Sequence, residues 1–358
     1  MKEIQYKDFS LTTHRKNWQI NKPNVCQWEI TFSCSLHCRH CYTDCYNKPP
    51  LIKKELNTVQ IKSILDKLYD LGVIWLCFTG GDPLKRKDFL EIYTYAKDKG
   101  FIITIFTTGY SITEAIADYL EKKPPFAIEI TVNSVSKKIS EKITQVKDSY
   151  LKTIKGLNLI LKKKLPLKVK TMATQDNFAE LAKIKKFLET KGIKFRPSSI
   201  LHARLNTDTA PCNLRLEPKE IENIDRLFEV ESAKENEPDA GTHDNHKKKA
   251  SGNNRLFRCA AGEDGINLDP YGNMFLCNCI RKPAINFSQS SFQEIKKTLS
   301  KTFREISNLK FKTNSRCRNC EYIDLCLNCP GKSLLEKKNI EAPIEYFCKL
   351  AYFNKNRR

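Results

Sequence analysis

Three cysteines, Cys34, Cys38 and Cys41, stand in the run Thr31-Phe-Ser-Cys-Ser-Leu-His-Cys-Arg-His-Cys-Tyr42 with the spacing C-x3-C-x2-C. A four-iron cluster ordinarily takes four thiolates, so three this close together leave one iron open to a substrate or cofactor. The open iron is where chemistry can begin. A structural zinc site is the other reading of these residues. It wants four tetrahedral ligands, usually two C-x2-C pairs, and Cys45 or His37 would have to supply the fourth.

A second set of cysteines lies toward the C-terminus: Cys259, then Gly272-Asn-Met-Phe-Leu-Cys277, then Cys317-x2-Cys320-x5-Cys326-x2-Cys329, and Cys348. A zinc ribbon on the two C-x2-C pairs would leave Cys259, Cys277 and Cys348 unexplained. Between the two sets comes Thr79-Gly-Gly-Asp-Pro83. Alone it is an ordinary turn signal, but its glycines let backbone approach a ligand closely.

The elements that must position these residues alternate. Strands are predicted at 26–32, 73–79, 102–106, 126–132, 167–172 and 193–197, and amphipathic helices at 58–71, 88–99, 113–121, 150–162 and 178–190, with Gly72, Gly100 and Gly192 as C-terminal stops. Repeated βα units imply a parallel sheet with right-handed crossovers. The cysteine loop then follows the first strand and Gly80-Gly81-Asp82-Pro83 the second, both at the C-terminal edge where such folds place their sites. Residues 1–25 read as an N-terminal extension, 26–200 as the α/β core, 201–255 as a connecting region and 256–358 as a cysteine-rich domain. The stretch 231–254 is polar and lacks core formers apart from Thr242, which reads as a flexible linker. His243 and His246 within it read as solvent-exposed loop residues.

The chain has 358 residues, 15 cysteines and a formal net charge of +21. No signal region or membrane-length apolar run is evident, so the expected compartment is the reducing cytoplasm, where clustered cysteines are more often metal ligands than disulfides. Lysines spread along helix faces account for much of the charge. They read either as solvated surface or as attraction for an acidic partner. No motif favours nucleic acid.

The array Cys34, Cys38, Cys41, with His40 before the last cysteine and Gly80-Gly-Asp-Pro83 after the second strand, resembles the radical S-adenosylmethionine (SAM) enzymes. Asp82 stands where glutamate is more usual. The resemblance implies a partial (β/α)6 barrel, and a four-iron cluster whose open iron chelates SAM and whose electron cleaves it to a 5'-deoxyadenosyl radical. It also implies SAM contacts from Gly80, Gly81, Asp82, Pro83, Thr108, Thr131 and Thr171. The C-terminal pattern resembles the SPASM extension of such enzymes, with Cys326-x2-Cys329 one residue shorter than the commonest spacing. By that pattern Cys317, Cys320, Cys326 and Cys348 ligate a distal auxiliary cluster, and Cys259, Cys277 and Cys329 a proximal one. The proximal set is one ligand short: either the position stays open to a substrate thiolate, or Cys279 fills it. Cys26, Cys77 and Cys212 read as core or surface thiols, and Cys45 has no assigned role.

Enzymes of this pattern mostly modify peptides, and the chain looks like the maturases of ribosomally made peptides. The implied partners are a precursor peptide, a separate leader-binding protein and a low-potential donor such as flavodoxin or ferredoxin. Tetrapyrrole or other small-cofactor biosynthesis is the alternative, and a non-catalytic iron–sulfur or zinc scaffold the reading from another class.

Overall fold

Buried β-branched and aromatic residues make the strands of this computed structural model, which describes residues 5–19, 22–43, 48–232, 254–258, 265–275, 277–282 and 284–356. Six parallel strands come first: β1 (Val25–Thr31), β2 (Trp75–Gly80), β3 (Ile102–Thr107), β4 (Ala127–Thr131), β5 (Leu167–Met172) and β6 (Lys194–Ser198). Each pairs with the next in sequence. The α/β partial-barrel expectation holds, with strand limits within two residues of those read from the pattern.

Helix α1 (Tyr6–Gln19) precedes β1, and α2 (Pro49–Ile52) and α3 (Thr58–Leu71) follow it. The crossovers continue with α4 (Phe89–Asp98), α5 (Glu114–Lys122), α6 (Lys137–Thr144), α7 (Ser149–Lys162) and α8 (Leu181–Glu189). Leu65, Leu68, Ile92, Leu120, Leu157, Ile160 and Ile184 from these helices meet Ile103, Ile105, Ile128, Ile130 and Val169 of the sheet in one core. Each such side chain contributes about 1.5–3 kcal/mol by leaving water. Local chemistry sets the helix ends: Asn57 and Gln60 form a reciprocal cap on α3, and Gly72 ends it at φ 85°.

Because one face of the sheet is taken by the helices, the alternate side chains face the other way. Glu129 stands opposite Lys168, Lys168 opposite Lys194, and Lys170 opposite Arg196. This concave face is therefore cationic toward β6, the strand at the end of the sheet.

Three differences from the sequence reading have physical causes. The N-terminal extension contains α1, a polar helix held by tertiary contacts: Trp75 Nε1 donates to Tyr6 Oη at 2.9 Å, and His14 stacks on Trp75 at 4.5 Å. The sheet does not stop at six strands. β7 (Gly265–Leu268) pairs parallel with β1, and β8 (Asn273–Phe275) and β9 (Ile285–Asn286) follow antiparallel, giving nine strands in the order β6-β5-β4-β3-β2-β1-β7-β8-β9. A boundary at residue 256 thus cuts a continuous sheet. Finally, α9 (Pro218–Ser232) extends into the predicted linker, and most of the remainder of that linker lies outside the described residues. Helices α10 (Phe292–Ser307), α11 (Pro330–Lys337) and α12 (Glu345–Asn356) complete the chain, and no described helix is long and apolar enough to cross a membrane.

Candidate active site

The cysteine loop leaves β1 and is tied down on three sides. His37 and Arg39 donate their backbone N–H groups to the carbonyls of Thr144 and Ile143, at the end of α6. The Arg39 side chain reaches Asp176 at 2.5 Å, and Lys142 shares that carboxylate at 2.7 Å. From the loop beyond β6, Arg204 donates to the carbonyls of Cys41 and Arg39, and Leu205 donates to that of Tyr42.

Cys34, Cys38 and Cys41 are brought together inside this frame. Burial pushes the Cys34 thiol up to about 12, with the Asp82 carboxylate adding to it. Burial followed by repulsion from Cys41 and Cys34 pushes Cys38 well up, and burial raises Cys41. Three sheltered thiols that repel one another as thiolates are a donor set that a cationic iron core would relieve, because a coordinating thiol is deprotonated outright. Leu36 N–H donates to Cys34 Sγ at 3.4 Å, a contact of the kind that tunes cluster potentials. Ser35 Oγ, His40 Nδ1 and Asn133 Oδ1 are buried at this rim without a hydrogen-bond partner, as polar atoms awaiting a bound group would be. Burial drops His40 to about 4, so its imidazole is neutral at ordinary pH.

The glycine pair packs its turn against the exit of β1. Gly80 has φ +130°, and a Cβ there would lie 2.1 Å from Thr31 O; one at Gly81 would lie 2.3 Å from Ser33 O. Gly81 N–H donates to Thr31 O and Asp82 N–H to Ser33 O. The close approach that glycine permits is thus between this turn and the exit of β1. Gly81→Ala is expected to cost about 1–3 kcal/mol by overpacking and to reduce SAM cleavage by shifting Ser33 and the adjacent Cys34. Gly100→Ala, where a Cβ meets nothing within 4 Å but the φ of +92° strains any side chain, should lower stability and leave cleavage intact. Denaturant unfolding and 5'-deoxyadenosine yield measure both; full cleavage by Gly81→Ala would rule this packing role out.

Asp82 is fully buried, and its carboxylate accepts from Leu84 N, Thr107 Oγ1, Thr108 N and Thr108 Oγ1. Burial raises its pKa against the pull of those donors. The carboxylate therefore braces β2 to β3, and the Thr108 hydroxyl is spent on it. Pro83 is buried beside it and starts a short 3-10 turn. Thr131 is only partly buried at the end of β4, whereas Thr171 is buried beside Asn177 Nδ2 at 3.5 Å.

The C-terminal cysteines form two groups. Cys317, Cys320, Cys326 and Cys348 lie within electrostatic reach of one another, with Arg258 and Arg316 nearby. The other group holds Cys277, Cys279 and Cys329; Cys259, like Cys45, lies outside the described residues. Instead of lying along a strand, Cys277 opens a tight turn closed by Ile280 N–H to Cys277 O, which folds Cys279 back on Cys277. Their hydrogen bond holds Cys277 down at about 6 and pushes Cys279 far up. A Cβ on Gly331 would sit 2.7 Å from Cys279 Cβ, so glycine lets this turn close on the start of α11, where Cys329 Sγ accepts from Lys332 N. Among the described residues no three His, Cys, Asp or Glu side chains converge closely enough to clasp a single metal ion. Of the remaining thiols, Cys26 is in the core, Cys77 is partly exposed on β2, and Cys212 donates to Glu336.

Glu29 links the two ends of the site. This β1 carboxylate is 1% exposed, accepts from Tyr42 Oη at 2.5 Å, and pairs with both terminal nitrogens of Arg281 at 2.8 Å. Burial lowers the Arg281 pKa, but the Glu29 charge outweighs it and the net shift is upward. Tyr42 adjoins Cys41 and Arg281 follows Cys279 by two residues, so one buried ion pair joins both cysteine loops. Sequence reasoning missed it, although a charged glutamate in a strand whose other residues are uncharged was a signal.

The protein-family model for the Radical SAM superfamily matches residues 28–188, the span from β1 to α8 that carries the cysteine loop and the glycine turn. This span is a radical SAM domain. A domain of this kind implies a four-iron cluster and SAM. The chain is 22% identical to the AdoMet-dependent heme synthase of Methanosarcina barkeri, over 87% of this chain and 93% of that protein. It is 24% identical to the mycofactocin maturase MftC of Mycobacterium tuberculosis, over 86% of this chain and 78% of that protein. Its fold matches that of Streptococcus suis SuiB bound to precursor peptide SuiA, with a TM-score of 0.67, 14% identity, and coverage of 96% of this chain and 81% of that one.

Proposed function

We propose that this radical SAM enzyme modifies a ribosomally made precursor peptide, with Cys34, Cys38 and Cys41 holding the SAM-binding cluster and the C-terminal cysteines holding two auxiliary ones. The observation that carries this reading is the placement of the second cysteine group. Residues 277–281, more than two hundred positions from Cys41, are joined to the cysteine loop through Glu29. Bound at that loop, the cluster supplies the electron that cleaves SAM. The chain's own part is to hold the loop through Arg204 and Asp176, and to present a cationic concave face to the substrate. That face ends at β6, which among the described residues has a strand partner on one side only; an extended polypeptide can line such an edge, and Lys194 and Arg196 suit an acidic one. The likeness to a mycofactocin maturase over most of both chains, and the fold shared with SuiB bound to a precursor peptide, support the same reading.

The second reading is action on a tetrapyrrole, favoured by the heme synthase likeness over nearly the whole of that protein. Both substrates could carry carboxylates to the lysines, so the concave face does not separate them. Products do. Reconstituted, reduced enzyme with SAM is expected to change the mass of a short peptide encoded beside its gene, and added salt should weaken peptide binding by screening. Turnover of a tetrapyrrole with no peptide product would select the second reading. Anaerobic reconstitution should also give about twelve irons per chain if each cysteine set carries four; about four irons with one zinc would support a zinc ribbon instead. A leader-binding protein and a flavodoxin- or ferredoxin-type donor complete the proposed system.

A further inference from the structure

A cationic cleft opens beside the exit of β1. Its cavity of about 250 Å3 is bounded by Thr31 and Ser33 where β1 ends, by Glu55 ahead of α3, and by residues 85–88 after the glycine turn. Arg86 turns into the wall: its side chain is 9% exposed, donates to Ile30 O and Leu56 O at 3.0 Å, and pairs with Asp88 at 2.8 Å. Its neighbours Lys85 and Lys87 are exposed, and so are Lys53 and Lys54, which stand between the lining residues Ile52 and Glu55. The carboxylates close by do not answer these charges. Asp88 is taken by Arg86, and the Glu55 side chain is 8% exposed and accepts from Phe32 N–H at 2.7 Å.

Two facts say what such a cleft is for. Ser33 on its wall directly precedes Cys34, so their Cα atoms are about 3.8 Å apart, and electron transfer falls off steeply with distance. The cleft is also built from the β1 exit and two crossover segments, so a protein seated there leaves the concave face to substrate. We propose that it docks an acidic, low-potential electron-carrier protein. The carrier gives one electron to the cluster at Cys34, Cys38 and Cys41 and leaves oxidised by one electron. Encounters of this kind bury less than about 1,200 Å2, and opposite charge steers them, so four exposed lysines around one cavity suffice. The proposal rests on the assignment of those three cysteines to the SAM-binding cluster, and holds for a peptide and a tetrapyrrole substrate alike.

The test uses the full chain, reconstituted anaerobically, with a small acidic flavodoxin as the probe. Calorimetry measures binding of oxidised flavodoxin at low and high salt; 5'-deoxyadenosine is then measured with reduced flavodoxin and, separately, with dithionite. Lys85→Glu with Lys87→Glu is expected to weaken binding at low salt by at least about tenfold, to flatten its salt dependence, and to cut flavodoxin-driven cleavage while dithionite-driven cleavage stays intact. Lys53→Glu with Lys54→Glu should do the same. Lys155→Glu with Lys162→Glu, an equal change of charge on exposed positions of α7, should alter neither. Equal weakening by the α7 pair, or no weakening by either cleft pair, overturns the docking surface, and so does loss of dithionite-driven cleavage together with the flavodoxin-driven. Absence of dithionite-driven cleavage in the unaltered enzyme would instead overturn the cluster assignment, while the binding comparison still reads the surface.

Discussion

Changing Cys34, Cys38 and Cys41 together to Ala is expected to abolish 5'-deoxyadenosine formation while iron stays bound to the C-terminal cysteines. The size of the effect follows from the chemistry. The side chains at this rim that could bind SAM, Asn133 and Thr131 among them, offer hydrogen bonds but no electron at the sulfonium. Removing the thiolates therefore removes the reaction, not a part of it, and the rate should fall by at least about a millionfold, to the uncatalysed level. The C-terminal iron should survive because its cysteines belong to a different stretch of chain. The loop's anchors, Arg204 to the Cys41 carbonyl and His37 to Thr144 O, are mostly backbone contacts that these changes do not touch. Iron assay and product chromatography on one preparation read both halves. Continued SAM cleavage by the triple variant would sink the assignment of these residues, and loss of all iron would deny the two sets their independence.

What could be read from the sequence divides by the range of the interaction. Strands β1 to β6 and helices α3, α4, α5, α7 and α8 were legible because each carries its own period and stop signals. Helix α1 was not, since what holds it is Trp75, nearly sixty residues beyond its end. The eight-residue α6 was missed for the same reason: it buries only Ser140, Ile143 and Thr144, too few to show a period. In the site, cysteine spacing revealed the ligand candidates, because Cys34, Cys38 and Cys41 share one short loop and the C-x2-C pairs are local patterns. The residues that set those loops in place, Glu29, Arg204 and Arg281, form no local pattern. Their partners become neighbours only when β7 docks beside β1 and the loop after β6 returns to Cys41. The Gly80-Gly81 motif was legible, but its packing role was not, because the atoms that exclude a Cβ belong to Thr31 and Ser33.

Glu29 is expected to show the largest stability effect of any single position in the site. Glu29→Ala leaves Arg281 buried without its partner, and breaking a buried pair from one side costs about 3–5 kcal/mol. Tyr42→Phe removes only the phenol's hydrogen bond to that carboxylate, about 1.5–3 kcal/mol. The guanidinium would keep its 3.2 Å bond to Asn278 O and its place over the Phe275 ring, 4.5 Å from the centroid, but neither answers its charge. Glu29→Gln with Arg281→Met should therefore cost less than the two single changes added together, with a coupling of about 0.5–3 kcal/mol. Anaerobic denaturant titration of the four proteins gives the cycle. The functional reading is separate: because the pair ties residues 277–281 to the Cys41 loop, Arg281→Met should lower auxiliary iron content and SAM cleavage together. Strictly additive single changes, with iron content unaltered, would reduce the ion pair to a local packing feature and deny it any part in joining the two cysteine loops.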